Sequence, residues 1–150
     1  MTICLIDTSI LCEILEVPRK NGNFEAILAE LKRKERDRES LFIPLSTILE
    51  TGNHIGQNGD GRQRREAASR FVRMIEQAVR GETPFLPTRF FRPQDLLTWI
   101  DDFPDWAGRG SGFGDLTILR EFERQCERHR GRRVYIWSTD RHLSSYHREP

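Results

Sequence analysis

Cysteine is scarce in this 150-residue chain and poorly spaced for framework chemistry: Cys4, Cys12 and Cys126 stand far apart, and no CxxC pair occurs. Neither a zinc site nor an even-numbered disulfide framework is suggested, and a reducing cytoplasm is the expected compartment. A surplus of one charge is missing as well, since 24 Lys and Arg face 23 Asp and Glu for a net charge of +1. That balance excludes a globally basic nucleic-acid coat and leaves any electrostatic effect local. No apolar run approaches the length that spans a bilayer, and the N-terminus lacks the charged-then-apolar pattern of a secretory leader. A soluble intracellular protein with no membrane partner is therefore expected.

What is present points to a folded chain. Apolar residues make up 37% and charged residues 31%, but the apolar positions are clustered and periodic rather than diluted as in disordered segments. The length suits one domain, residues 1–150. TICLI reads as a short, almost wholly apolar strand of the kind covered on both faces, followed by a helix from Thr8 that Pro18 stops. Phe24, Ile27, Leu28 and Leu31 recur at helical spacing beneath a KRKERDRE run expected to be a solvated helix face. LFIPL is a second buried strand. After it, Ile48, Leu49 and Ile55 suggest a helix capped by Ser46, and Ala68, Phe71, Val72, Ile75 and Val79 suggest another. The proline-rich TPFLPTRFFRP could be strand or loop; Leu96, Leu97, Ile100 and Phe103 beyond it are spaced for a helix. A helix bearing Ile118, Leu119 and Phe122 then leads to VYIW, a last buried strand. Strands alternating with helices imply an α/β fold, a three-layer α/β/α sandwich around a short, mainly parallel sheet, with a ligand crevice beyond the carboxyl ends of its strands.

Four acids sit where that crevice would be. Asp7 follows the first strand and Asp140 the last, so both carboxylates emerge at one edge if those strands are parallel neighbours. Glu50 rides on the helix after the second strand, and Asp115 lies in the first turn of the helix before the last. Carboxylates gathered in this way raise each other's pKa unless a cation neutralises them, and a hard divalent ion is the natural remedy. Mg²⁺ takes oxygen ligands at about 2.0–2.1 Å and usually retains waters. The alternative is local: Asp7, Asp115 and Asp140 all stand where helix caps or first-turn dipole partners are expected, and Glu50 could simply face solvent. A second acidic group, Asp95, Asp101, Asp102 and Asp105, has no strand end to gather it and reads as surface charge.

The segments IDTSIL, ILETG, FGDLTIL and WSTDRHL resemble the PIN-domain ribonucleases, most closely the small VapC-type toxins of toxin-antitoxin pairs. Those proteins share a strand-end Asp, a helical Glu, a D-x-x-[IL] and a [TS]-x-D, in that order, and the resemblance spans nearly the whole chain. It implies that Asp7, Glu50, Asp115 and Asp140 bind one or two Mg²⁺ or Mn²⁺ ions, with Ser9 and Ser138 as nearby catalytic hydroxyls that orient ligands or water. Some members carry a further acid after the last Asp; Ser144 and Ser145 occupy that neighbourhood here. The resemblance further implies an endoribonuclease that hydrolyses RNA phosphodiester bonds, is held inactive by a small antitoxin protein and forms a homodimer. The rival reading is an idle PIN-like module that acts only through RNA or protein contacts.

Metal-assisted hydrolysis needs no histidine base, so His54, His129, His142 and His147 are poor catalytic candidates, although His54 and Asn53 share a helix face with Glu50. RNA contact would fall to rim cations, with Arg62, Arg64, Arg65, Arg70 and Arg73 on one helix and Arg128, Arg130, Arg132, Arg133 and Arg141 around the last strand. Arginine-rich faces are more often solvated surface or glutamate-paired helix, which is the alternative reading here. GRGSGFG fits neither phosphate-loop spacing and reads as flexibility beside the cleft. A phosphoryl-accepting Asp7 of the haloacid-dehalogenase type lacks its D-x-D partner, because Ser9 holds that place.

Overall fold

In a computed structural model that describes residues 1–150, the ICLI segment forms β1 (Ile3–Ile6), and all four of its side chains are buried. The alternation of a strand explains why: Cys4 and Ile6 enter one apolar cluster, while Ile3 and Leu5 enter another on the opposite face. β2 (Ser40–Ile43) and β4 (Val134–Trp137) flank β1, both parallel to it, with Ile3 opposite Ser40 and Val134, and Ile6 opposite Trp137. β3 (Phe85–Pro87) extends the sheet beyond β2. The two-residue β5 (His147–Arg148) closes the other edge antiparallel to β4, giving the order β3-β2-β1-β4-β5. The fold is thus α/β with a five-stranded, mostly parallel sheet and eight helices. The chain runs outward from β1 to β3 and returns on the other side as β4, so the order reverses between β1 and β4, where a parallel sheet opens a crevice.

Helices α1 (Thr8–Ile14), α2 (Phe24–Arg36), α3 (Leu45–Gln57) and α4 (Gly61–Val79) contribute Leu11, Leu31, Ile55 and Ala67 to the cluster on the Cys4 face. α6 (Phe103–Gly108), α7 (Phe113–Arg128) and α8 (Arg141–Ser144) contribute Trp106, Ile118 and Leu143 to the cluster on the Ile3 face. The remaining helix, α5 (Pro93–Ile100), starts with proline, whose missing N–H is harmless at the first helical position. No helix is long and apolar enough to cross a membrane.

Several helix faces depart from what spacing suggested. In α4 the expected Ala68 and Phe71 do pack on the core, but with Ala67, Met74 and Ala78, so the packed face is turned away from Val72 and Val79, which are exposed. In α5, Trp99 is buried against Phe91, whereas Leu97 and Ile100 face solvent. Ser46 is not a cap: α3 starts at Leu45 after Pro44, and the Ser46 hydroxyl is buried without a partner. The charge run of α2 is not wholly solvated either. Lys34 is 2% exposed, with its ammonium 4.6 Å from the ring centroids of both Tyr135 and Trp137. It donates to the Tyr135 hydroxyl, which donates to Glu39. Burial holds that phenol well above its ordinary pKa, so it remains a neutral donor.

Candidate functional site: an acidic cleft at the sheet edge

Because β1 and β4 lie side by side and end together, the residues after them meet. The Asp7 N–H donates to the Trp137 carbonyl at 3.0 Å. Asp7 occupies the N-cap position of α1 in an extended conformation, yet its side chain makes no capping hydrogen bond. Its Oδ2 instead accepts from two hydroxyls, Ser9 at 3.0 Å and Ser138 at 2.7 Å. Those serines are themselves fixed by the turn after β4, where the Thr139 N–H donates to Ser9 and the Asp140 N–H to Ser138. A backbone turn, two hydroxyls and one carboxylate therefore form a single relay of hydrogen bonds that orients a 5%-exposed acid. Asp140 behaves differently: its Oδ1 caps α8 by accepting from the Leu143 N–H at 3.0 Å.

Glu50 reaches the same place from α3. Thr47 on the first turns of α3 anchors that helix to the end of β1 by donating to the Ile6 carbonyl at 2.8 Å, and Glu50 follows one turn later. Its Oε2 accepts from Thr8 Oγ1 at 3.1 Å. Asp115 stands in the first turn of α7, where free N–H groups favour an anion. Asp7, Glu50, Asp115 and Asp140 all line one cleft of about 340 Å³, together with Thr8, Ser9, Cys12, Glu13, Lys20, His54, Thr139 and Leu143.

The electrostatics follow from this crowding. Partial burial, then the charges of Asp7, Glu50 and Asp140, push the Asp115 carboxyl up to about 6, with His142 acting weakly in the other direction. Burial pushes the Cys12 thiol up to about 11, so the one thiol in the cleft is no ready nucleophile.

Oxygen donors of this kind suit a hard divalent cation. No three His, Cys, Asp or Glu side chains are drawn together tightly enough to form a closed cage. A cation bound here would have to keep part of its water shell and take one or two carboxylates at a time, as Mg²⁺ commonly does. The residues that could hold it are Asp7, Glu50 and Asp115, with Asp140 partly engaged as a cap.

Three lining residues carry no signal that the spacing arguments used. Thr8 acts through a contact 42 residues away in sequence. Glu13 is buried, and both its oxygens accept from the Asn23 N–H at 3.1 Å, which ties the end of α1 to the start of α2; its i+4 relation to Ser9 could have placed it on the cleft face. Lys20 comes from the α1–α2 connection, where Glu16 (φ 52°) and Arg19 (φ 67°) adopt left-handed backbone. Arg70 on α4 clamps that connection by donating to the carbonyls of Leu15 and Glu16.

None of the arginines expected at the rim lines the cleft, where Lys20 and His54 are the basic residues. Arg62 pairs with Glu66 on its own helix, Arg70 is spent on the two carbonyls, and Arg133 pairs with Glu149 and packs over Tyr135. The second acidic group stays apart: Asp95 accepts from the Arg92 N–H, and Asp102 pairs with Arg120. Comparison with protein-family models, with curated proteins and with solved structures finds no match.

Proposed function

We propose that this chain is a metal-dependent endoribonuclease of the PIN-domain type, a three-layer α/β/α nuclease acting as the toxin of a toxin-antitoxin pair. The observation that carries the reading is the convergence of Asp7, Glu50, Asp115 and Asp140, from four separate segments, on one cleft at the switch point of a parallel sheet. Asp7, Glu50 and Asp115 are the residues that would hold Mg²⁺ or Mn²⁺, one or two at a time, with water completing the ion's shell. When bound, such an ion supplies Lewis acidity toward the phosphate and an acidified water, the chemistry of phosphodiester hydrolysis without a histidine base. The hydroxyls of Ser9 and Ser138 fix the direction of the Asp7 carboxylate, and Thr8 fixes that of Glu50. With its pKa raised to about 6, the Asp115 carboxyl carries a proton below that pH, which a bound cation would have to displace.

RNA is the substrate, and its backbone approaches over Lys20 rather than over the arginines of α4. Lys20→Ala is expected to raise KM for RNA about tenfold with little change in kcat, and to reduce the dependence of log KM on log salt by about one charge equivalent. Steady-state kinetics across a salt series reads both, and an unchanged salt slope would show that Lys20 touches no phosphate.

A small antitoxin and a second copy of the chain are the expected partners. The deciding experiment incubates the purified protein with an RNA pool in Mg²⁺, in Mn²⁺ and in chelator, beside Asp7→Asn. Cleavage only in the metal-containing tubes of the natural chain is the expected result. Equal RNA loss in every tube, or none in any, sinks the nuclease and leaves the idle binding module.

A further inference from the structure

We propose that Gly114 is a positioning residue for Glu50: the missing side chain at the second residue of α7 is what lets the Glu50 carboxylate stand in the cleft beside Asp115. The GRGSGFGD segment holds four glycines before its acid, and they differ in what surrounds them. A Cβ built on Gly108, Gly110 or Gly112 would meet nothing within 4 Å. One built on Gly114 would meet Glu50 Cδ at 2.8 Å and Oε2 at 3.5 Å, with Oε1 nearer than either. Only the last glycine is crowded, and the group crowding it is an acid of the cleft.

Conformational freedom does not explain this glycine. Gly110 has a left-handed backbone at φ 85°, whereas Gly114 lies inside α7 and has no positive φ. An alanine could adopt that backbone, and alanine favours a helix over glycine. What glycine supplies here is room. The obstruction is the far end of one flexible side chain rather than the backbone, so a methyl group at position 114 leaves the helix in place and displaces the carboxylate. Glu50 would then lose the hydrogen bond from Thr8 that holds its Oε2.

The effect on Glu50 position stands on geometry alone; its consequence for metal rests on the nuclease reading above. Crystal structures of the metal-free natural chain and of Gly114→Ala test the first. The expected result is an unmoved α7 with the Glu50 carboxylate swung away from Thr8. A carboxylate still bonded to Thr8 overturns the proposal. Calorimetric titration with Mn²⁺ tests the second: Gly114→Ala should lose about 10- to 100-fold in affinity, as support residues around metal ligands do, while its melting temperature stays equal or rises.

Rescue separates positioning from general damage. Glu50→Asp shortens the acid by one methylene and makes space for the methyl group, so the double variant Gly114→Ala with Glu50→Asp should bind Mn²⁺ more tightly than Gly114→Ala alone. Losses that merely add in the double variant overturn the proposal, because residues in contact should couple. A natural chain that binds no Mn²⁺ removes the nuclease reading instead, and the crystallographic comparison then decides the role of Gly114 by itself.

Discussion

Asp115→Asn is expected to act in opposite directions on activity and on stability. Metal-dependent RNA cleavage should fall by about 10²- to 10³-fold, the loss of a few kcal/mol of transition-state stabilisation with one cation ligand gone. The metal-free protein should become more stable at neutral pH. The Asp115 carboxyl titrates near 6 in the folded chain, above the value of about 3.9 in an unfolded one. Between those two values the folded state binds more protons than the unfolded state, so stability is full below about pH 4 and declines as pH rises through 6. Asparagine carries no charge to bury among Asp7, Glu50 and Asp140. Its advantage over the natural chain is therefore absent at pH 4 and complete above pH 6. For a half-exposed group, solvent screening reduces that advantage to roughly 1 kcal/mol, a few degrees in melting temperature. Thermal melts in chelator at pH 4, 5, 6 and 7.5 would reveal it. Parallel curves for the two proteins would show that Asp115 carries no repulsive load.

The second large effect lies in the interior where α2 meets β4. Lys34→Ala should destabilise the protein by about 3 kcal/mol, the lower end of the range for removing one partner of a buried pair. The ammonium is surrounded by the rings of Tyr135 and Trp137 and lies 4.0 Å from Glu39, whose side chain is 5% exposed. Deleting it strands a buried carboxylate and removes a donor to the Tyr135 hydroxyl. Arg33, also 4.0 Å from Glu39, keeps the loss from being greater. Chemical denaturation gives the free energy directly, and the melting temperature should fall by roughly 10 °C. Pairing Lys34→Met with Glu39→Gln should restore much of the loss, since it removes the charges together. An unchanged midpoint for Lys34→Ala would mean that the cluster is dispensable.

Lys34 also illustrates what sequence can and cannot disclose. The strands β1 and β4 were legible because four consecutive apolar residues, ICLI and VYIW, have few other uses, and their ends pointed to Asp7 and Asp140. The parallel pairing of those strands bears out the expectation that both acids emerge at one edge. Helix existence was legible from period, but the packed face only in part: Ala68 and Phe71 pack as spaced, yet the two most buried residues of α4 are the small Ala67 and Ala78, while Val72 and Val79 remain outside. Lys34 looked like surface because its neighbours Arg33, Glu35 and Arg36 are surface; only the rings from β4, a hundred residues later, make a basic side chain tolerable inside. Thr8 and Lys20 escaped notice for the same reason, since what defines them is distant chain. Asp7 looked like a cap and is not one, and Asp140 is a cap as well as a cleft acid, a distinction that belongs to hydrogen-bond geometry rather than to residue type.

The relay that fixes Asp7 has a temporal side. Ser138 lies 131 residues downstream of the acid it orients, and β1 cannot acquire its β4 neighbour before that last parallel strand exists. Pairings of such long sequence separation form late, after most of the loop-closure entropy has been spent. During synthesis, a nascent chain that has not reached Asp115 exposes only Asp7 and Glu50, neither set in its final place. The cleft acids are thus brought together only after translation has passed the turn that follows β4.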